Sequence, residues 1–149
     1  MRALLDTSYI AHLVNGKRNT DLAEEHIARW RRSISVISLA ELYGVVKSED
    51  WNARDIVRLV GVMPRDAIPV SESDSQLHAL YASIHRKWWL RRKEPRFRSL
   101  GQNDMWIAAT AMRLGAFLVT SDAAQAKFAP FGGYHSVLVL PGTGELEIS

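Results

Sequence analysis

The sequence predicts an α/β fold in which helices cover both faces of a mainly parallel sheet of about five strands. Short apolar runs alternate along the chain with longer segments whose apolar residues recur at helical spacing. This alternation is typical of parallel strands joined by helical crossovers. With 149 residues, of which 47% are hydrophobic, the chain is long enough to build one core. We therefore expect residues 1–149 to form a single domain.

The first half of the chain predicts two strands separated by helices. Residues 3–5 are an apolar run that ends at an acidic residue, which is typical of a buried parallel strand. Helix-favouring polar residues and 3.6-residue periodicity mark the segments that follow. The predicted elements are a helix from Thr7 or Ser8 to Val14, a turn over 16–20, a helix over 21–31, a strand over 35–37, and helices over 38–47 and 52–62.

The second half predicts three more strands and two helices. The helix that begins near Ser73 has the clearest apolar stripe, and the next one ends at Gly115, a residue suited to a left-handed helix end. The last strand is expected at an edge of the sheet, followed by a loose tail. The predicted strands are 68–70, 116–119 and 136–140, and the second helix covers 103–114.

Composition excludes several classes of protein. The chain has no Cys, which excludes disulfides, thiolate chemistry and Cys-based zinc sites and agrees with a reducing compartment. Its first residues lack the pattern of a signal peptide, and no apolar run approaches the ~20 residues of a membrane-spanning helix. We expect a cytoplasmic protein without a membrane segment. A pI near 9.4 and a net charge of +3 permit nucleic-acid binding without requiring it.

Four acidic residues each follow a predicted strand or lie in the first turn of a predicted helix. Open α/β sheets gather functional groups at the carboxyl ends of their strands, so we expect these side chains to meet there. Clustered carboxylates repel one another unless a cation compensates them, and oxygen ligands favour Mg²⁺ or Mn²⁺. A basic chain around such a pocket suggests phosphodiester chemistry. The four residues are Asp6, Glu41, Asp104 and Asp122.

Each of these acids also has a structural interpretation. Asp6 could cap the helix that follows it. Ser38 and Glu41 have the spacing of a capping box, in which each side chain satisfies a backbone N–H at the helix start. Asp104 suits the first turn of a helix, and Asp122 suits an Asx-turn. The four acids together, in this order, favour a shared site over four separate caps.

Four segments resemble the motifs of PIN-domain ribonucleases, specifically the VapC-type toxins of bacterial and archaeal toxin–antitoxin pairs. The resemblance extends from Leu4 to about Leu140. The segments are Leu-Leu-Asp-Thr-Ser at 4–8, Ser-Leu-Ala-Glu-Leu-Tyr-Gly-Val at 38–45, Asn-Asp-Met-Trp-Ile-Ala-Ala-Thr-Ala at 103–111, and Leu-Val-Thr-Ser-Asp at 118–122.

The resemblance implies a PIN-like three-layer α/β/α sandwich and a metal-dependent endoribonuclease that acts as the toxin of a VapBC-type pair. Asp6 and Asp104 would hold the principal Mg²⁺ or Mn²⁺, Glu41 would position it, and Asp122 would complete its shell or bind a second ion. The partners implied are RNA, a small VapB-like antitoxin and a second copy of the chain. The family pattern adds Thr120 as a hydroxyl group of the site, with Thr7 and Asn103 as supporting residues.

The sequence departs from the family in two places. Many relatives carry an acid two positions after the last motif acid, where this chain has Ala124. The segment 86–98 is also unusually long and basic, with seven Lys or Arg against Glu94 alone. It is either an RNA-binding or partner-binding surface or a solvated helix end. Its candidate binding residues are Arg86, Lys87, Trp89, Arg91, Arg92 and Lys93.

Other functions remain as alternatives. An aspartyl-phosphate phosphatase of the haloacid dehalogenase type needs an acid where this chain has Ser8. The five His residues show no metal-ligand spacing. A PIN-fold module that binds RNA or regulates without catalysis, and a metal-dependent DNA nuclease, are the closer alternatives. Trp89 and Trp106 suit a protein interface as well as a base-stacking surface.

Overall fold

A computed structural model describes residues 1–15, 20–140 and 142–149. The turn predicted over 16–20 lies, except for Thr20, outside the described residues. The strands are β1 (Arg2–Leu5), β2 (Arg31–Ser35), β3 (Asp66–Ile68), β4 (Phe117–Thr120), β5 (Ser136–Val139) and β6 (Leu146–Ile148). The helices are α1 (Thr7–Val14), α2 (Asp21–His26), α3 (Val36–Ser48), α4 (Ala53–Val62), α5 (Ser75–Arg91), α6 (Gln102–Leu114) and α7 (Ala123–Gly132), with a 3₁₀ turn at Pro95–Phe97.

The six strands form one sheet in the order β3-β2-β1-β4-β5-β6. Every neighbouring pair is parallel except β5 and β6, which are antiparallel. β1 and β4 are therefore central neighbours, and their carboxyl ends lie side by side at Asp6 and Thr120. The predicted mainly parallel α/β/α fold is confirmed, with one strand more than expected.

The core lies on both faces of the sheet because successive residues of a strand point to opposite sides. Leu4 packs on one face with a cluster that contains Ile84 of α5, Ala108 of α6 and Phe128 of α7. Leu5 packs on the other face in a cluster with residues of α1, α3 and α4. This arrangement holds the starts of α1, α3, α6 and α7 around the same edge of the sheet. None of the helices in the described residues is both long and apolar enough to cross a bilayer.

The predicted boundary between the second strand and the next helix lies two residues too late in the chain. The helix predicted over 21–31 ends at His26, the strand predicted over 35–37 covers Arg31–Ser35, and the helix begins at Val36. Ser35 has extended backbone geometry, and its hydroxyl accepts a hydrogen bond of 3.2 Å from the Ile37 N–H. The β-branched residues Val36 and Ile37 favour strand locally, but this cap turns them into the first helical turn.

The structure corrects the sequence-based prediction at four further points. The third strand is Asp66–Ile68, because Pro69 cannot donate a ladder hydrogen bond and terminates it. The strand predicted at 136–140 is not an edge, because the segment expected to be a loose tail forms β6 against it. Helix α7 was not predicted, since Pro130 lies inside it and Gly132 is its last residue. The predicted strand 116–119 lies one residue early, and Gly115 ends α6 with a left-handed φ of 58° as expected.

Candidate acidic active site

Asp6 is held at the carboxyl end of β1 by two hydroxyl groups. Its side chain is buried and makes no hydrogen bond that caps α1. Instead, Oδ2 accepts hydrogen bonds from Ser8 Oγ at 2.6 Å and from Thr120 Oγ1 at 2.8 Å. Asp6 therefore occupies the N-cap position of α1, but its side chain does not cap the helix. The buried carboxylate faces the cleft at the ends of the strands.

Glu41 faces the same edge from the second turn of α3. Its Oε2 accepts a hydrogen bond of 2.5 Å from Thr7 Oγ1, and its Oε1 accepts one of 2.9 Å from the Asn103 side-chain amide. The capping box predicted for Ser38 and Glu41 is wrong, because α3 begins at Val36 and its cap is Ser35, three residues before Ser38. Glu41 is therefore joined to α1 and α6 rather than to its own helix start.

The other two acids stabilise helix starts and line the site at the same time. Asp104 Oδ2 accepts a hydrogen bond of 2.7 Å from the Gly101 N–H before α6. Asp122 is the N-cap of α7, and its Oδ1 accepts from the Ala124 N–H at 2.7 Å. Only some of their oxygen lone pairs are used in this way. Capping and a site role are thus compatible for both residues.

All four acids line one cleft of about 680 Å³. The head of the cleft, lined by Asp6, Asp104 and Asp122, lies at the strand ends. The rest of the cleft runs between α1 and α3 past small and polar side chains. Thr7 is also part of the lining, whereas Thr120 lies buried behind Asp6. The remaining lining residues are Ser8, Ala11, Asn15, Gly44, Val45, Ser48 and Glu49.

The cleft concentrates negative charge. The pKa of Asp104 is raised to about 7, first by burial and then by the charges of Asp6, Asp122 and Glu41, while the Gly101 N–H acts in the opposite direction. Burial also raises the pKa of Asp6, although its two hydroxyl donors act in the other direction. The ion pairs between described residues all use other carboxylates. A cation that entered the cleft would relieve this repulsion.

The donor set fits a hard divalent cation, although it is not arranged around one. The cleft offers carboxylate and hydroxyl oxygens, which Mg²⁺ and Mn²⁺ prefer. Within residues 1–15, 20–140 and 142–149, no group of three or more Asp, Glu, His or Cys side chains has the arrangement of a metal site. Each of the four carboxylates instead accepts at least one hydrogen bond from a protein donor.

The sequence model of the PIN domain family matches residues 3–129, which include all four acids. The chain belongs to the PIN domain family. Solved structures that resemble this chain support the same fold. VapBC2 from Rickettsia felis, solved with a DNA fragment from its promoter, matches with 26% identity and a TM-score of 0.67, covering 88% of this PIN domain chain and 93% of the other.

Two more distant structures share the PIN fold. FitAcB from Neisseria gonorrhoeae is 20% identical, with a TM-score of 0.66 and coverage of 90% of this chain and 95% of that chain. DNA-bound VapBC from Salmonella typhimurium is 22% identical, with a TM-score of 0.62 and coverage of 85% and 91%. A comparison with curated proteins gives no match. The predicted PIN family is confirmed, and the VapBC structures support its VapC-type branch.

The basic segment of this PIN domain is more structured than its charge suggests. The Arg92 guanidinium lies 3.4 Å from the centroid of the Trp89 ring and also donates to the Trp89 carbonyl. Arg91 lies over the Phe131 ring, 4.5 Å from its centroid. Lys87 Nζ donates a hydrogen bond of 3.0 Å to the Gly132 carbonyl at the end of α7. The segment is therefore anchored to the fold through its cations.

Part of this segment still faces solvent. Trp89 is 51% exposed, and Leu90 is 71% exposed. Arg86 and Lys93 are exposed as well. Trp106 stacks on Tyr81 of α5 with ring centroids 3.8 Å apart, so it is mainly a packing residue. Trp89 is consequently the better of the two aromatic candidates for a binding surface.

Sequence reasoning missed Ser8 and Gln125 at the PIN site. Ser8 bonds Asp6, and its oxygen also accepts from the Ser121 N–H at 3.0 Å. The signal for Ser8 was its position two residues after the acid, within the first motif. Gln125 is fully buried between two of the acidic segments. It had no comparable signal, because α7 itself was not predicted.

Proposed function

We propose that this PIN domain is a metal-dependent endoribonuclease and the toxin of a VapBC-type pair. The observation that carries the proposal is the convergence of Asp6, Glu41, Asp104 and Asp122 on one cleft. The four acids come from segments far apart in the chain, and the described ion pairs leave them without a basic partner. Such a cleft is costly for the folded chain unless it serves to bind a cation.

In this proposal Asp6 and Asp104 hold the principal Mg²⁺ or Mn²⁺, with Glu41 and Asp122 completing its surroundings. The bound cation would polarise the scissile phosphate and offset the charge that develops on it. The chain's own groups orient the acids. Ser8 and Thr120 fix the Asp6 carboxylate, as described above, and the N–H groups at the starts of α6 and α7 fix the other two aspartates.

In this proposal Glu41 is also oriented by hydrogen-bond donors. Thr7 and Asn103 each donate to one of its two oxygens, so its carboxylate plane is fixed from α1 and α6. To contact a cation, Glu41 must use lone pairs that these donors leave free or exchange one donor for the cation. Thr7 and Asn103 are therefore supporting residues that set the orientation of Glu41.

The similar VapBC structures support a small VapB-like antitoxin as a partner of this chain, and we propose a homodimer as its assembly. The acidic cleft offers an antitoxin a place to bind and block the site. The exposed basic residues around Trp89 offer a second surface, which we assign to RNA. Exposed aromatic rings stack unpaired bases, and Arg or Lys side chains contact phosphates.

The first experiment tests cleavage and substrate together. Purified wild type, Asp6→Asn and the control Asp21→Asn, which changes an exposed acid in α2, are incubated with total RNA in Mg²⁺, Mn²⁺ or EDTA. New RNA ends are mapped by sequencing. We expect discrete ends that require metal and Asp6 but not Asp21. Preferential cleavage of matched DNA would instead show a DNA nuclease. Folded, metal-loaded protein that leaves both intact would show a non-catalytic module.

The basic surface is tested by binding in EDTA, where no cleavage occurs. A variant with Arg91, Arg92 and Lys93 changed to Gln is compared with a control carrying Gln at Arg29, Arg54 and Arg65, which are exposed elsewhere. Each phosphate contact contributes about 0.7 to the salt slope for single strands, so the first variant should show a flatter slope. Equal affinity and slope in both variants would contradict the RNA surface.

A further inference from the structure

Gln125 is a buried polar residue beneath the acidic cleft. It lies in the first turn of α7 and is 0% exposed. A buried amide is unfavourable unless its polar atoms are hydrogen-bonded. The contacts of Gln125 lead to Asp104 and Asp122, although the residue itself does not line the cleft. Its position therefore connects two acids that different segments contribute.

The side chain of Gln125 is joined to the first turn of α6. Its Nε2 donates a hydrogen bond of 3.2 Å to the main-chain carbonyl of Asp104. A carbonyl oxygen only accepts, so the nitrogen of the amide has to face it, and the orientation of the amide group is fixed. The contact acts on the backbone that carries the Asp104 side chain into the cleft.

The main chain of Gln125 is held on both sides. Its N–H donates to Asp122 Oδ1 at 3.3 Å, and its carbonyl accepts a hydrogen bond of 2.7 Å from the buried hydroxyl of Tyr134. Burial raises the pKa of Tyr134 well above its ordinary value, so this hydroxyl stays a donor. Gly132 makes room for the ring, since a Cβ there would lie 2.5 Å from a Tyr134 ring carbon.

The unused oxygen of the amide argues against a purely structural role. Gln125 Oε1 is buried and has no hydrogen-bond partner among the described atoms. An apolar residue of similar volume would fill the same space without burying this unpaired acceptor. The contact between Nε2 and Asp104 is then the feature that distinguishes Gln from an apolar residue here.

We propose that Gln125 is a positioning residue that sets the separation of Asp104 and Asp122 across the head of the cleft. The inference rests on the proposed function in one respect, namely that these two acids hold the divalent cation. Groups that orient metal ligands without touching the metal commonly change affinity or activity by about 10–100-fold when they are removed. We expect an effect at the lower end of this range, because Asp104 keeps its hydrogen bond from Gly101.

The test compares Gln125→Met with the control Thr110→Val. Met keeps the length and volume of Gln but lacks the donor. Thr110 is equally buried, lies on α6, and donates to the Trp106 carbonyl at 2.8 Å, so its replacement removes a buried hydrogen bond away from the cleft. Gln125→Asn, whose amide is too short to reach Asp104, is a second variant should the Met variant not fold.

Three quantities are measured, of which two do not depend on cleavage. They are Mn²⁺ binding, amide hydrogen exchange over residues 101–108, and kcat with KM for RNA. For Gln125→Met we expect about tenfold weaker Mn²⁺ binding, faster exchange in the first turn of α6, and about tenfold lower kcat with little change in KM. Thr110→Val should leave Mn²⁺ binding and kcat at wild-type values.

The outcomes separate the two proposals. If wild type neither binds Mn²⁺ nor cleaves RNA, the proposed function fails, while faster exchange in Gln125→Met would still support the positioning role. Wild-type Mn²⁺ binding and wild-type exchange over 101–108 in a folded Gln125 variant would overturn it. Equal losses of Mn²⁺ binding in Gln125→Met and Thr110→Val would also overturn it, because they would show a general effect of destabilising the core.

Discussion

The hydroxyl of Thr120, the last residue of β4, donates a hydrogen bond of 2.8 Å to Oδ2 of Asp6, the residue that follows β1. The same Thr120 oxygen accepts a hydrogen bond of 3.0 Å from the Asp122 N–H. One hydroxyl thus links two acids at the ends of the two central strands. Thr120 is fully buried, so its hydroxyl makes these two contacts within the protein. Both contacts depend on the register of β1 and β4.

Thr120→Val should lower RNA cleavage about tenfold without unfolding the protein. Val keeps the shape of Thr but can neither donate to Asp6 nor accept from Asp122. The pKa of Asp6 should rise further, because the hydroxyl donor favours the charged carboxylate. Cleavage rates and melting temperatures are compared with those of Thr110→Val. Equal cleavage by Thr120→Val and wild type would show that this hydroxyl does not orient Asp6 for the reaction.

The stability of the metal-free protein should fall as the pH rises from about 4 to about 7. The folded-state pKa of Asp104 is raised from 3.8 to about 7, so its ionisation costs the folded state more than the unfolded state. The contribution of protonated Asp104 to the free energy of unfolding is complete below its unfolded-state pKa. It is lost as the pH rises through its folded-state pKa. The expected loss is on the order of a few kcal/mol.

Asp104→Asn provides the comparison for this pH dependence, since Asn does not ionise. Urea unfolding in EDTA at several pH values should give a smaller decrease for the variant than for wild type. Asp6 contributes to the remaining decrease, because burial raises its pKa in the same direction. Identical pH profiles for the two proteins would mean that Asp104 ionises as easily in the folded chain as in the unfolded one.

Ser35→Ala should destabilise the protein by about 1 kcal/mol, whereas Ser38→Ala should be neutral or stabilising. Ser35 caps α3 through its hydroxyl. Ser38 lies inside that helix, and its buried Oγ has no hydrogen-bond partner among the described atoms. Free energies of unfolding measure both effects. A larger loss for Ser38→Ala would restore the capping box that the sequence suggested.

Gly132→Ala should destabilise the protein by roughly 1–3 kcal/mol, although Ala is the better helix former. A Cβ at Gly132 would lie 2.5 Å and 2.7 Å from two ring carbons of Tyr134, so the ring would have to move. Gly61→Ala in α4 is the matched control, because an added Cβ there meets nothing within 4 Å. That change should stabilise by about 0.5–1 kcal/mol. A stabilising Gly132→Ala would show that the Tyr134 ring relocates easily.

Local sequence patterns predicted some elements well and others poorly for identifiable reasons. The stripe of α5 and the stop at Gly115 were correct, because periodicity and a left-handed glycine act within a few residues. The boundary at Ser35 was wrong, because Val36 and Ile37 have β propensity that the capped helix start overrides. Strand β6 was missed, since its three residues gain their structure only by pairing with β5.

The chemistry available at the site could be predicted from the sequence: four acids, each following a strand or lying in the first turns of a helix, with no Cys. The parallel α/β sheet could be predicted as well, because alternation of apolar runs and amphipathic segments is a local property. How the acids are held could not be predicted in this way. Thr120 and Gln125 reach Asp6 and Asp104 through contacts between segments distant in the chain. Such contacts depend on strand register and helix packing, and no pattern within a few residues contains that information.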